Sequence, residues 1–84
     1  MILASQLRAA RSLLDWNQKD LAQASDLSLP TIQRMETLGL RRSSAGNVEK
    51  VQRAVEDAGV EFIDENGGGP GVRLKSRIGN SLSG

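Results

Sequence analysis

At 84 residues, with no cysteine and no histidine, the chain is one small domain without disulfides, thiolate metal sites or the commonest general base. Its net charge of +1 is unevenly spread: residues 1–42 carry six bases against four acids, residues 43–71 two against six, and Arg73, Lys75 and Arg77 follow. No apolar run approaches the roughly 20 residues of a membrane span, and no basic stretch leads into an apolar core at the N-terminus, so a cytoplasmic protein with no membrane contact and no signal peptide is expected.

The first predicted helix runs from Ser5 to Leu14. Leu3, Leu7, Ala10 and Leu14 recur at steps of three and four, and Leu13 widens the stripe. Ser5 is the expected N-cap. Arg8 and Arg11 fall on another face, and Trp16 links this helix to the next segment.

Residues 17–36, NQKDLAQASDLSLPTIQRME, read as two short helices joined by a tight turn. Asn17 is an N-cap with Asp20 as its acidic partner three residues on, a variant of the capping box. Leu21 and Ala22 mark the buried stripe, and Ala22 lets the two helices pack closely. Asp26 stands where the chain must reverse, and Asp tolerates left-handed geometry better than most side chains. Leu27 follows as an apolar plug. Ser28 is a second N-cap, with Pro30 inside the first turn, where a missing N–H does no harm. Ile32, Met35 and Leu38 give the second helix its apolar stripe.

Two capped helices with a short turn fit the helix-turn-helix motif, whose second helix enters the DNA major groove. Gln18, Leu21, Ala22, Leu27, Ser28, Thr31, Ile32, Arg34 and Glu36 also follow the pattern Q-x-x-L-A, a turn, then V-S-x-x-T-I-x-R-x-E. In these nine positions the chain resembles the Cro/C1-type (XRE-like) family of bacterial and phage regulators. From Arg8 to Gly59 the resemblance covers roughly two-thirds of the sequence. There are two departures. Asp26 replaces the usual turn Gly. Leu38 stands where a Gly usually follows the final Glu, and Gly39 comes next, which implies a slightly longer second helix or a rearranged loop.

The resemblance implies a mainly α fold: a small, lambda-repressor-like helix-turn-helix domain of about four helices over residues 1–59. It implies that Trp16 packs in the core, against the alternative of stacking on a base or ligand. It also implies that Gln18 contacts phosphate, which suits the anion-attracting start of a helix. Asn17 and Lys19 extend that backbone contact. Thr31 either adds to it or serves the cap. Base edges fall to the exposed start of the second helix: Ser28, Leu29, Pro30, Gln33 and Arg34. Arg34 suits guanine, Gln33 suits adenine or a phosphate, and Leu29 and Pro30 offer apolar contact. Glu36 reads as structural, pairing with Arg8 or Arg11, against the alternative of a solvated charge.

Past the motif, LGLRRSSAGN is a loop. Arg41 and Arg42 are candidates for phosphate contact, equally readable as a solvated basic pair. A further helix is expected from Ala45 to Ala58, with Val48, Val51, Val55 and Ala58 as its stripe and Gly59 just past its end. Then the period changes. Val60–Ile63 and Val72–Lys75 are short and β-prone, and DENGGGPG between them is a turn, which together predict a C-terminal β-hairpin over residues 60–75. Val60 and Phe62 face Val72 and Leu74. A lone hairpin is marginal in water, so this one needs the helices or a second subunit, and is a candidate dimerisation element. EFIDENGGGPGVRL also resembles an extension seen in many short alphaproteobacterial members of the same family. GGGPG lacks the Lys-Ser/Thr and following helix of a phosphate loop. Residues 76–84 read as a flexible tail.

Three function classes follow. The first is a sequence-specific, DNA-binding transcriptional regulator: a homodimer that represses by occluding a promoter and inserts residues 28–38 into the major groove. The second is a protein-binding module, an antitoxin or anti-activator on the same scaffold, with a protein partner held by the acidic segment 56–65 and the hairpin. An enzyme is not expected, since no His, no Cys and no clustered carboxylate pair is present, and no cofactor or metal is expected either.

Overall fold

The computed structural model describes residues 2–64 and 67–75. The chain is mainly helical with a two-stranded antiparallel hairpin at its C-terminal side. Among the described residues four α-helices run in order: α1 (Ala4–Leu13), α2 (Gln18–Ser25), α3 (Leu29–Leu38) and α4 (Ala45–Asp57). A 3₁₀ turn, Leu40–Arg42, sits between α3 and α4, and two strands follow, β1 (Val60–Ile63) and β2 (Gly71–Leu74). The expected flexible tail, residues 76–84, and part of the hairpin turn, residues 65–66, lie outside the described residues.

The core is built from every element except β2, which packs against its edge. Leu7, Leu21, Ile32, Met35, Val51, Val55 and Val60 are fully buried, with Ile2, Ala10, Ala22, Leu40 and Ala54 completing the cluster. Trp16, Leu27, Val48, Phe62 and Val72 pack on it partly buried, which gives Trp16 and Leu27 the packing roles read for them.

Four sequence expectations are corrected. Ser5 does not cap α1: the helix begins at Ala4, and the Leu3 N–H is satisfied by Gln6 Oε1 at 2.8 Å. The α1 stripe is narrower than predicted, since Leu3 and Leu13 are exposed while Ile2 and Gln6 are buried. In α4 the buried face is Val51, Ala54 and Val55; Ala58 is exposed just past the helix end. Leu38 is 55% exposed rather than part of the buried stripe. A run of three-residue steps falls about 60° short of a full turn at each step in a helix of 3.6 residues per turn. The run therefore leaves the core at its third member: Ile32 and Met35 stay buried, Leu38 does not, and the next buried leucine is Leu40 in the 3₁₀ turn.

The backbone reverses by local devices. Asp15 and Asp26 hold left-handed φ of 59° and 61°. In each case the next residue's N–H reaches back five residues: Trp16 to Arg11 O at 2.9 Å, and Leu27 to Ala22 O at 3.0 Å. Both are Schellman closures, which satisfy helix-end carbonyls otherwise left without partners. Gly39 (φ 95°) ends α3, and Gly59 (φ 110°) follows α4.

The hairpin finds its support inside the chain. β1 pairs with β2 in the register Val60↔Leu74, Glu61↔Arg73, Phe62↔Val72 and Ile63↔Gly71. Its inner face lies on α1 and α4. Gln6, only 5% exposed, donates from Nε2 to Gly71 O (3.0 Å) and Ile63 O (3.3 Å), tying α1 to both strands. Across the outer face, Arg73 Nε meets Glu61 Oε1 at 3.0 Å, and that hydrogen-bonded guanidinium holds the Glu61 carboxyl below its ordinary pKa. Lys75 N–H donates to Gly59 O at 2.7 Å. With this register, Glu61–Arg73 and Ile63–Gly71 are then hydrogen-bonded pairs, and the backbone groups of Val72 and Leu74 point away from β1.

Candidate nucleic-acid interface

The pair α2–α3 is fixed at both of its starts by short-range hydrogen bonds. Asn17 Oδ1 accepts from the Asp20 N–H at 2.8 Å, and Asp20 Oδ2 accepts from the Asn17 N–H at 3.0 Å. Ser28 Oγ accepts from the Thr31 N–H at 3.2 Å and lies 2.8 Å from Thr31 Oγ1. Asp26 in the left-handed region and Leu27 against the core set the turn between them. These capping and turn devices are local, each spanning only a few residues.

Behind α3 lies a buried polar anchor. Glu36 is 5% exposed. Arg11 grips its carboxylate at both oxygens, Nε to Oε2 at 2.7 Å and Nη2 to Oε1 at 2.9 Å. Gln18 Nε2 adds a third bond, to Oε1, at 3.0 Å. Arg8 Nη1 donates to the Glu36 carbonyl at 2.7 Å, and Arg11 Nη1 to Trp16 O at 3.1 Å. One carboxylate thus joins α1, α2 and α3, and bidentate geometry fixes direction as well as distance. The pairing read for Glu36 is formed with Arg11, while Arg8 takes the backbone. Gln18 has one amide proton committed inward and one left for an outside acceptor.

The outward side of α3 is a continuous exposed arc. Leu29, Pro30, Gln33, Arg34, Thr37 and Leu38 are exposed, against buried Ile32, Met35 and Glu36. All five residues read as base contacts, Ser28, Leu29, Pro30, Gln33 and Arg34, stand exposed at or along this arc. Of those read as backbone contacts, Asn17, Lys19, Arg41 and Arg42 are exposed, while Gln18 and Thr31 are half-buried and engaged with Glu36 and Ser28. The side chains of Lys19, Gln33, Arg34, Arg41 and Arg42 make no hydrogen bond or ion pair among the described residues. Thr37 and Leu38 share the arc and were not among the sequence candidates. Thr37 was findable: it stands four residues from Gln33 and three from Arg34, the spacing of one helix face.

An open cleft of about 580 Å³ is lined by Arg8, Arg11, Ser12, Asp15, Trp16 and Asn17 beside the start of α2. Among the described residues no group of three or more His, Cys, Asp or Glu side chains converges, and no helix is long and apolar enough to cross a membrane. No protein-family model matches the chain, and no curated protein matches it.

Proposed function

We propose that the chain is a sequence-specific DNA-binding transcriptional regulator of the Cro/C1-type (XRE-like) kind, a cytoplasmic homodimer that represses by occupying a promoter. The observation that carries this reading is the exposed arc of α3. Its polar side chains Gln33 and Arg34 have no partner within the described residues, while the helix is locked from behind by Arg11 and Glu36. Pre-positioned polar groups on a rigid helix are what reading base edges requires. Arg34 takes guanine, Gln33 takes adenine, and Ser28, Leu29 and Pro30 enter first. Asn17, Gln18, Lys19, Arg41 and Arg42 hold phosphates on either side, and these contacts set register rather than sequence.

Two-fold symmetry places two copies of α3 about 34 Å apart on a palindromic site. The surface for the second copy is the outer edge of β2, where the backbone groups of Val72 and Leu74 point away from β1 and Leu74 is 49% exposed. An unpaired strand edge is a ready template for another strand.

The test is selection from a random duplex library with purified protein at near-physiological salt. An enriched inverted repeat supports the dimeric regulator. A single enriched half-site keeps DNA reading and removes the dimer. No enrichment, with weak binding that vanishes as salt rises, overturns the reading. The second reading, a protein-binding module such as an antitoxin or anti-activator, draws on Leu38, whose exposure puts a large apolar group on the same arc. Copurification of a stoichiometric basic partner from the native host, together with failed selection, would favour it.

A further inference from the structure

We propose that Thr37 is a specificity-determining residue, its methyl group packing on the C5-methyl of a thymine three base pairs from the one met by Pro30. This rests on the DNA-reading assignment above. The exposed arc of α3 runs from Leu29 to Leu38, and at about 100° per residue it spans about 180°. Its midline is occupied by two residues, Pro30 and Thr37, which lie about 20° apart around the axis. Gln33 stands about 40° to one side of Thr37 and Arg34 about 60° to the other. The arc therefore has a low central ridge of short, carbon-rich side chains between two long polar arms.

That shape has a chemical consequence. The arms can reach donors and acceptors on the base edges to either side. A short side chain on the midline meets only what projects furthest toward the helix, and in the major groove the thymine methyl is the apolar group on offer. The Thr37 hydroxyl makes no hydrogen bond among the described residues, not even the return to the carbonyl four residues back that helical threonines often form. The side chain is not spoken for by the fold. Pro30 and Thr37 are seven residues apart, about 10.5 Å along the helix axis. Base pairs stack about 3.4 Å apart, so a helix lying along the groove sets the two methyl contacts three steps apart, with the Arg34 and Gln33 contacts between them.

The experiment uses the duplex enriched from the random library, with each thymine replaced in turn by deoxyuridine, which lacks only the C5-methyl. Wild-type protein should lose about fourfold in affinity at the Thr37 position, the worth of one buried methyl group. Thr37→Ser keeps the hydroxyl and loses the methyl, so it should bind about fourfold more weakly per half-site, about sixteenfold on an inverted repeat held by two subunits, and ignore the uridine replacement there. Thr37→Val keeps a methyl and should retain the wild-type dependence. Uridine sensitivity undiminished in Thr37→Ser, or sensitive thymines not three steps apart, overturns the proposal while leaving the DNA-reading assignment standing. A library that enriches no sequence removes both.

Discussion

Arg11 donates two hydrogen bonds to a carboxylate almost fully removed from water, and this decides what its loss would cost. In Arg11→Ala the Glu36 carboxylate keeps only the Gln18 amide. An uncompensated buried charge costs about 3–5 kcal/mol, a large part of the stability of so small a domain. Urea denaturation should show that fall. Replacing both partners, Arg11→Met with Glu36→Leu, should recover most of it, because two apolar groups leave no charge behind. A loss under about 1 kcal/mol in the single variant would mean the carboxylate reaches water after all. Arg34 is the opposite case. It is exposed and without a partner among the described residues, so Arg34→Ala should leave stability within about 0.5 kcal/mol. Its effect belongs to recognition: discrimination at one base pair should fall by about 1–3 kcal/mol, read by competition between single-base variants of the selected site. An equal loss on every sequence would make Arg34 a phosphate contact.

Between residues and whole elements, the useful distinction is between local and distant causes. The α2–turn–α3 segment was legible because each of its devices spans a few residues: Asn17 with Asp20, Ser28 with Thr31, Asp26 in the turn. Asp15 uses the same device, with the Asn17 cap two residues on just as Ser28 follows Asp26, so its left-handed turn was readable by the same signal. The tie that Gln6 makes to the hairpin could not be read. The two carbonyls its amide donates to, Ile63 and Gly71, lie 57 and 65 residues away, and a buried amide looks like any surface Gln in sequence. The exposure of Leu38 was readable in principle from the drift of three-residue steps, yet the burial of Leu40 depends on how the chain turns at Gly39. Two predictions belong to this scale. At Asp26 the left-handed backbone admits Gly without strain, so Asp26→Val should be less stable than Asp26→Gly by about 1–2 kcal/mol in thermal unfolding. On the hairpin, Arg73 lowers the Glu61 pKa by hydrogen bonding and charge. A lowered folded pKa means stability that is present above the unfolded carboxylate range and is lost as pH falls through the folded value. The pair is exposed, so the effect is small and weakens with salt. In an NMR titration the Glu61 midpoint should rise in Arg73→Gln. A midpoint that stays put would mean the pair does not persist in solution.

For the whole molecule, charge distribution and symmetry can be tested together. Lys19, Arg34, Arg41 and Arg42 are exposed cations of the first 42 residues, while the following segment carries a surplus of acids. The proposed interface is thus confined to one part of the sequence, and the acidic segment contributes no contact to it. Each neutralised phosphate releases counterions, so the logarithm of affinity falls with the logarithm of salt by about 0.9 per contact. A substitution in a symmetric dimer occurs twice. If Arg41 meets a phosphate in each half-site, Arg41→Ala should flatten the salt dependence by about 1.8 on the inverted repeat, but only by about 0.9 on an isolated half-site bound by one subunit. Arg34→Ala should separate from it, losing discrimination between sites along with any change in slope. The same titration repeated with Leu74→Lys, which sets a charge on the outer edge of β2, should bring the full-site slope down toward the half-site value as the second subunit is lost. If the slope of Leu74→Lys on the full site stays that of the parent, the two copies are not joined through β2, and the edge of the hairpin has no part in placing the recognition helices on the DNA.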